Sequence, residues 1–117
     1  MVRLESLKKS YQFKQTLKEK KVHTEFFSIF AAKNFYKPKY KQDLIISFVM
    51  KKKIGNAVKR NKIRRKLKAI VQKLLKKRGA ISKDYTYIVF GKTGAYLQKQ
   101  STLMPLLEKS FKTIKIK

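Results

Sequence analysis

The chain has 117 residues, with 32 basic and 6 acidic side chains, one histidine and a formal net charge of +26. This length supports one domain with one modest core, which 43% apolar residues, aromatics included, can form despite the charge. Zero cysteines exclude a disulfide scaffold and every thiolate metal site, and the longest nearly apolar run, residues 44–50, falls far short of the roughly 18 residues that span a bilayer. The first 20 residues mix charged and apolar side chains and contain no signal-peptide core. One cytoplasmic domain over residues 1–117 is expected. Its charge points to a polyanionic partner, nucleic acid first and an anionic membrane surface second.

In chain order, residues 6–21 read as a first helix. Leu7, Tyr11, Phe13 and Leu17 lie at imperfect helical spacing, with Ser6 or Ser10 as the cap. Residues 25–32, rich in aromatics, read as a strand. Residues 34–41 contain Pro38 and read as a turn or loop, with room for a short extra strand near 35–42. Residues 43–50 read as a second strand, whose near-continuous apolar run predicts burial on both faces. A turn at Ile54, Gly55 and Asn56 leads into a long helix over 57–77. Ile63, Leu67, Ile70, Val71 and Leu74 make its apolar stripe, while Lys62, Arg65, Lys66, Lys73 and Lys76 project on the other side. Gly79 is the predicted C-cap. Residues 84–90 read as a third long strand. A last helix begins at Gln98 or Ser101 and runs through Leu103, Leu106, Leu107 and Phe111, with Pro105 in its first turn. The order is α-β-β-(β)-α-β-α, an α+β class and a single-domain α/β sandwich. A strand, a long helix and a strand make a crossover, so the last two long strands are expected to be parallel neighbours.

No catalytic constellation stands out. His23 is the sole histidine, and at a strand start it reads as interfacial or solvent-exposed. Glu5, Glu19, Glu25, Asp43, Asp84 and Glu108 are scattered, with no pair spaced for acid/base or two-metal chemistry. The stretch KKKIGNAVKRNK lacks the G-x-x-x-x-G-K-[ST] phosphate loop. Any reaction this protein supports must take its chemical groups from another molecule.

The basic residues are concentrated. Residues 51–78 contain 14 Lys or Arg in 28 positions, and no acid occurs between Asp43 and Asp84. Random solvation would mix the signs. At about 100° per residue, Arg60 and Arg64 fall near the apolar stripe or at its edge. An arginine there is costly unless paired or reaching past the core. Either the helix overhangs the sheet at its N-terminal end, or Arg60 and Arg64 rim a groove. The planar guanidinium suits phosphate oxygens. Gly55 and Asn56 allow tight backbone near the helix start, where free N–H groups attract an anion.

The segment from Lys51 to Ala69 resembles the signature of the bacterial ribonuclease P protein subunit, S-K-K-x-G-N-A-V-x-R-N-x-I-K-R-x-x-R-E. Gly55, Asn56, Ala57, Val58, Arg60, Asn61, Ile63, Arg64 and Arg65 carry the match. The similarity extends over most of the chain: Leu7, Lys8, Lys9, Phe13 and Leu17 are similar to the family's first helix, and Phe27 and Phe30 to the aromatic pair of its first strand. Lys92 stands where the family often has arginine. Lys51 replaces the usual serine, Lys62 an often-seen arginine, Lys68 and Ala69 an Arg-Glu pair, Ser6 an arginine, and Lys20 a common glycine. Except at Ser6, these changes keep or raise the positive charge.

The resemblance implies a ribosomal-protein-like fold with a βαβ crossover that is left-handed in the family. It implies an endoribonuclease holoenzyme that removes the 5′ leader of precursor tRNA to give mature 5′ ends. The RNA subunit would carry the active site and hold most of the Mg²⁺, with no ion bound by protein side chains alone. The implied partners are ribonuclease P RNA and the precursor tRNA leader, with no membrane and no protein partner required. Lys52, Lys53, Asn56, Arg60, Asn61, Lys62, Arg64, Arg65 and Lys68 would meet the catalytic RNA. Phe13, Leu17, Phe27, Phe30 and Lys92 would line a leader cleft between the first helix and the sheet. For the four apolar residues, core packing is the competing assignment. Phe13 and Phe30 are favoured for the cleft, because Phe26 and Phe27 alternate faces and one must be buried. A small basic ribosomal protein is the alternative on size, charge and make-up; the G-N-A-V-x-R-N pattern separates the two.

Overall fold

Period-two alternation along the long strands creates two apolar sheet faces, and each must be covered. A computed structural model describes residues 3–38, 43–77 and 79–116. In chain order the elements are β1 (Leu4–Glu5), α1 (Ser10–Lys18), β2 (Lys20–His23), β3 (Phe27–Lys33), β4 (Leu44–Val49), α2 (Ala57–Leu74), β5 (Tyr85–Gly91) and α3 (Gln100–Ile116). Single 3-10 turns at Lys52–Ile54 and Thr93–Tyr96 precede α2 and α3. The sheet order is β1-β4-β5-β3-β2. β4 runs parallel to β1 and β5, and β3 runs antiparallel to both β5 and β2. The fold is α+β, with α2 crossing between the parallel neighbours β4 and β5, as expected.

One face carries Phe27, Ile29 and Ala31 of β3, Leu44 and Ile46 of β4, and Tyr87 and Val89 of β5. It packs on the α2 stripe Ile63, Leu67, Ile70, Val71 and Leu74 and on Leu103, Leu107 and Phe111 of α3. The other face carries Ile45 and Ile88, which pack with Leu7 and with half-buried Phe13, Phe30, Val49 and Phe90. Both faces of β4 are therefore buried, as its apolar run implied. α1 covers this second face, and its nine residues cover only part of it.

Sequence expectations shift at several points. The first helix is Ser10–Lys18, not 6–21, because Lys20–His23 pairs with the free edge of β3. Edge pairing is a tertiary gain that helical spacing does not register. Lys9 is the N-cap residue, and Gln12 Oε1 reaches back to accept from the Lys8 and Lys9 N–H groups at 2.9 and 3.1 Å, in place of a Ser6 or Ser10 cap. α2 ends at Leu74 in i+3 turns, so Gly79, with φ +76, turns the chain beyond the helix and does not cap it. Pro105 lies in the second turn of α3, on its exposed side. Of the extra strand suggested near 35–42, residues 35–38 are not strand, and 39–42 lie outside the described residues.

Two tyrosines make alkaline pH a probe of this core. Tyr87 is fully buried; its hydroxyl donates to the Ser82 carbonyl at 2.9 Å and its ring packs edge-on to Phe111. Burial pushes its pKa up, as do the neighbouring Tyr85 and Asp84 charges. The Tyr36 hydroxyl is buried without a partner among the described residues, and burial, then Glu5 and Tyr11, push it up to about 12. A phenol whose folded pKa exceeds its unfolded value near 10 contributes stability that is present below that pH and lost as pH rises through the folded pKa. Stability is therefore expected to hold to about pH 10 and to fall between about pH 10 and 12. Tyrosinate absorbance and circular dichroism recorded in one titration check this. Ionisation of every tyrosine near pH 10 without loss of structure would contradict it.

Candidate nucleic-acid interface

Because α1 is short, the ends of β2, β3 and β5 beside it are uncovered and floor an open groove of about 710 Å³. Leu17 closes the α1 side, and Lys51, Lys53 and Lys92 stand at the approach to α2 and the end of β5. The floor is aromatic. Phe30 and Phe90 meet edge to face with centroids 5.4 Å apart, and His23 packs edge-on to Phe30 at 5.7 Å. His23 Nδ1 lies 2.7 Å from Ser28 Oγ, which fixes the ring orientation. The Lys51 ammonium lies 5.7 Å from the Phe90 centroid. Lys92 donates to the Thr24 carbonyl at 2.6 Å, which holds its ammonium at the rim. Half-exposed rings among fixed cations form a surface suited to stacked bases and a phosphate chain.

Of the five residues expected in the cleft, Leu17, Phe30 and Lys92 line this groove. Phe13 sits in the seam between α1 and the sheet. Phe27 is corrected: it is fully buried on the opposite face, against α2 and α3. The β3 pleat sends Phe27 and Phe30 to opposite sides, three positions apart. Phe90, His23, Ser28 and Lys51 were missed as groove residues. Strand alternation over residues 84–90 puts Phe90 on the face opposite Tyr87 and Val89. Only the placement of α1 decides which face stays open.

The second basic surface begins at Gly55, whose φ of 151° and ψ of −162° fall in a region restricted to glycine. A Cβ there would also lie 2.9 Å from Lys59 Cδ. The Asn56 side chain caps α2, accepting from the Lys59 N–H at 3.0 Å, and buried Ile54 anchors the preceding turn, leaving Lys52 and Lys53 exposed. Gly55→Ala is expected to destabilise the fold by about 1–3 kcal/mol and to weaken RNA binding through a displaced helix start. Urea denaturation and RNA titration of the variant check this; unchanged stability would refute the strain.

Along α2 the predicted RNA contacts divide into two rows. Arg60 and Arg64 are half-buried toward the sheet, as the stripe geometry implied, and Lys68 continues that row in the open. Arg60 Nε is buried without a partner among the described residues, and Arg64 Nη1 donates to Asn61 Oδ1. The outer row, Asn61, Lys62 and Arg65, lines a second groove of about 710 Å³ together with Val58, Lys66, Ala69 and Gln100. Lys62 also lies over the Tyr96 ring, 4.9 Å from its centroid. Lys66 does not project freely into solvent: it bonds three backbone carbonyls of the 95–98 segment.

Among the described residues, no three His, Cys, Asp or Glu side chains come together to hold a metal ion. No helix among the described residues is long and apolar enough to cross a membrane.

Comparison with known proteins agrees with this geometry. The sequence model of the family Ribonuclease P matches residues 1–115. The ribonuclease P protein component of Mycoplasma capricolum is 32% identical over 109 residues, 93% of this chain and 94% of the relative. That of Mycoplasma mycoides is 33% identical over the same length. The Staphylococcus aureus RNase P protein has a similar structure, with TM-score 0.69, 25% identity and 95% of each chain covered. The Thermotoga maritima RNase P protein shares the fold, with TM-score 0.73 and 24% identity over 94% of this chain and 97% of that one. The basic-segment motif and these matches over nearly the whole chain converge, and the chain belongs to the ribonuclease P protein family, the protein components of a tRNA-processing ribonuclease.

Proposed function

We propose that this chain binds the RNA of ribonuclease P through the start and outer face of α2. The groove beside α1 holds the 5′ leader of precursor tRNA, while the RNA breaks the bond. The observation that carries the proposal is the aromatic groove, whose lining runs from Phe30 and Phe90 to Lys51, Lys53 and Ile54 at the approach to α2. Phe30 and Phe90 stack on leader bases with little sequence preference, and Lys51, Lys53 and Lys92 neutralise its phosphates. Arg60, Arg64 and Lys68 on one row of α2, with Asn61, Lys62 and Arg65 on the other, meet phosphates of the RNA subunit. Lys52, Lys53 and Asn56 extend that contact to the helix start. Magnesium is held mainly by the RNA. The complex works in the cytoplasm, without a membrane or a second protein.

The test reconstitutes the holoenzyme and measures binding of precursor tRNA with and without its leader. Tighter binding of the leader-bearing form is expected, with a log–log salt slope of about −0.7 per single-strand phosphate contacted. Equal affinity for both forms rejects the leader groove. Replacing Arg60 and Arg64 together by alanine is expected to weaken assembly or to slow cleavage at limiting Mg²⁺. Unchanged assembly and cleavage reject the α2 assignment.

A further inference from the structure

Lys66 is held by three backbone carbonyls. It was expected on the solvated face of α2, yet its ammonium donates to the Ala95, Tyr96 and Gln98 carbonyls at 3.1, 2.8 and 2.6 Å. An ammonium has three donors, and all three are used. These acceptors lie at the end of the 3-10 turn Thr93–Tyr96 and just beyond it; the Ala95 carbonyl also accepts from the Gln98 N–H at 3.3 Å. Burial, and then the charge of Lys62, push the Lys66 amine below the usual lysine range. The ammonium has thus given up part of its hydration for these three carbonyls.

The clamped segment is also a wall of the aromatic groove. Its upstream part, Gly91 to Gly94, lines the groove, and fully buried Ala95 follows at once. That end is tied separately to the β2–β3 connection. The Lys92 N–H donates to the Phe26 carbonyl at 2.9 Å, and the Lys92 ammonium to Thr24. Lys59 and Lys62 hold the Tyr96 ring from α2, at 5.1 and 4.9 Å from its centroid. One fastening of this segment is therefore to the sheet, and the other is to the helix that carries the RNA-facing basic rows.

We propose that Lys66 is a positioning residue for leader binding: by holding the 95–98 carbonyls it fixes the 91–94 wall, and with it Lys92, at the distance from Phe30 and Phe90 that a single strand requires. The inference rests on the leader groove proposed above. Lys66 touches no leader nucleotide itself. Its loss lets the wall drift, which weakens the leader-dependent part of substrate affinity and spares the chemical step.

The test compares holoenzymes carrying wild-type protein, Lys66→Met, Lys66→Arg and, as a control on the same helix, Lys73→Met. For each, KM and kcat are measured for precursor tRNA, affinities for leader-bearing and leaderless RNA are determined, and amide exchange is followed over residues 93–98. Lys66→Met is expected to reduce the preference for leader-bearing RNA about tenfold, within the worth of one stacked base. KM rises, while kcat and leaderless affinity stay within about twofold, too small a change to mark a lost contact. Exchange over 93–98 accelerates. Lys66→Arg, which keeps donors for the carbonyls, restores most of the preference, and Lys73→Met leaves it intact. If Lys66→Met does not fold, Lys66→Gln, which keeps two N–H donors on a shorter, uncharged side chain, is expected to give a smaller loss of the same kind.

Faster exchange with an unchanged leader preference overturns the proposal. An equal loss of affinity for leaderless RNA also overturns it, because that is the mark of a direct contact or of general unfolding. If the wild-type holoenzyme itself shows no leader preference, the groove assignment fails, and the role of Lys66 falls with it.

Discussion

Phe27→Ala is expected to destabilise the fold by about 3–5 kcal/mol, the usual cost of truncating a fully buried aromatic. The ratio of affinities for leader-bearing and leaderless precursor tRNA is expected to stay unchanged. Phe27 is wholly removed from solvent, packed with Ile29, Tyr87, Val89 and the apolar stripes of α2 and α3. The groove lies through the sheet, on the other face. Urea denaturation gives the stability, and binding at a temperature where the variant remains folded gives the ratio. Loss of leader preference without loss of stability would contradict the core assignment. It would favour the family's aromatic pair acting together in the cleft.

Phe30→Ala and Phe90→Ala are expected to do the opposite. Each removes a half-exposed ring from the groove floor, and each should lower leader-dependent affinity by about 5- to 150-fold, from roughly 1–3 kcal/mol per stacked base. Their stability losses should be smaller than that of Phe27→Ala, because both rings are only partly buried. The two rings touch, so the double variant should lose less than the sum of the single losses. Titration of the reconstituted holoenzyme with both substrates, for the two single variants and the double one, checks the prediction. Full leader preference in both single variants would remove the aromatic floor from the binding account.

Arg60 and Arg64 were placed at the edge of the α2 stripe by helical geometry alone, and both are half-buried there. Gly55 and Asn56 were read as a tight entrance to the helix. They form one, with a glycine-only backbone and a side-chain cap. Lys66 lies on the same helix and was read as solvated, because the carbonyls that hold it are about thirty residues away in sequence. Helical geometry gives the direction of a side chain. It cannot give what a distant loop brings to meet it.

The sequence by itself determined the chemistry of this protein: its charge, the concentration of that charge in one segment, the scarcity of catalytic side chains and the parallel crossover around a long amphipathic helix. These are properties of residue type and local period, which a linear chain displays in full. Tertiary structure alone decided which aromatics are core and which are floor. Residues 20–23 leave the helical pattern because the free edge of β3 offers them backbone partners. That pairing shortens α1, and a short α1 leaves Phe30 and Phe90 uncovered while Phe27 is sealed beneath two helices. Strand alternation separates the two sheet faces but assigns neither to solvent. The assignment depends on how far each covering helix reaches, and that is set by contacts between residues distant in sequence.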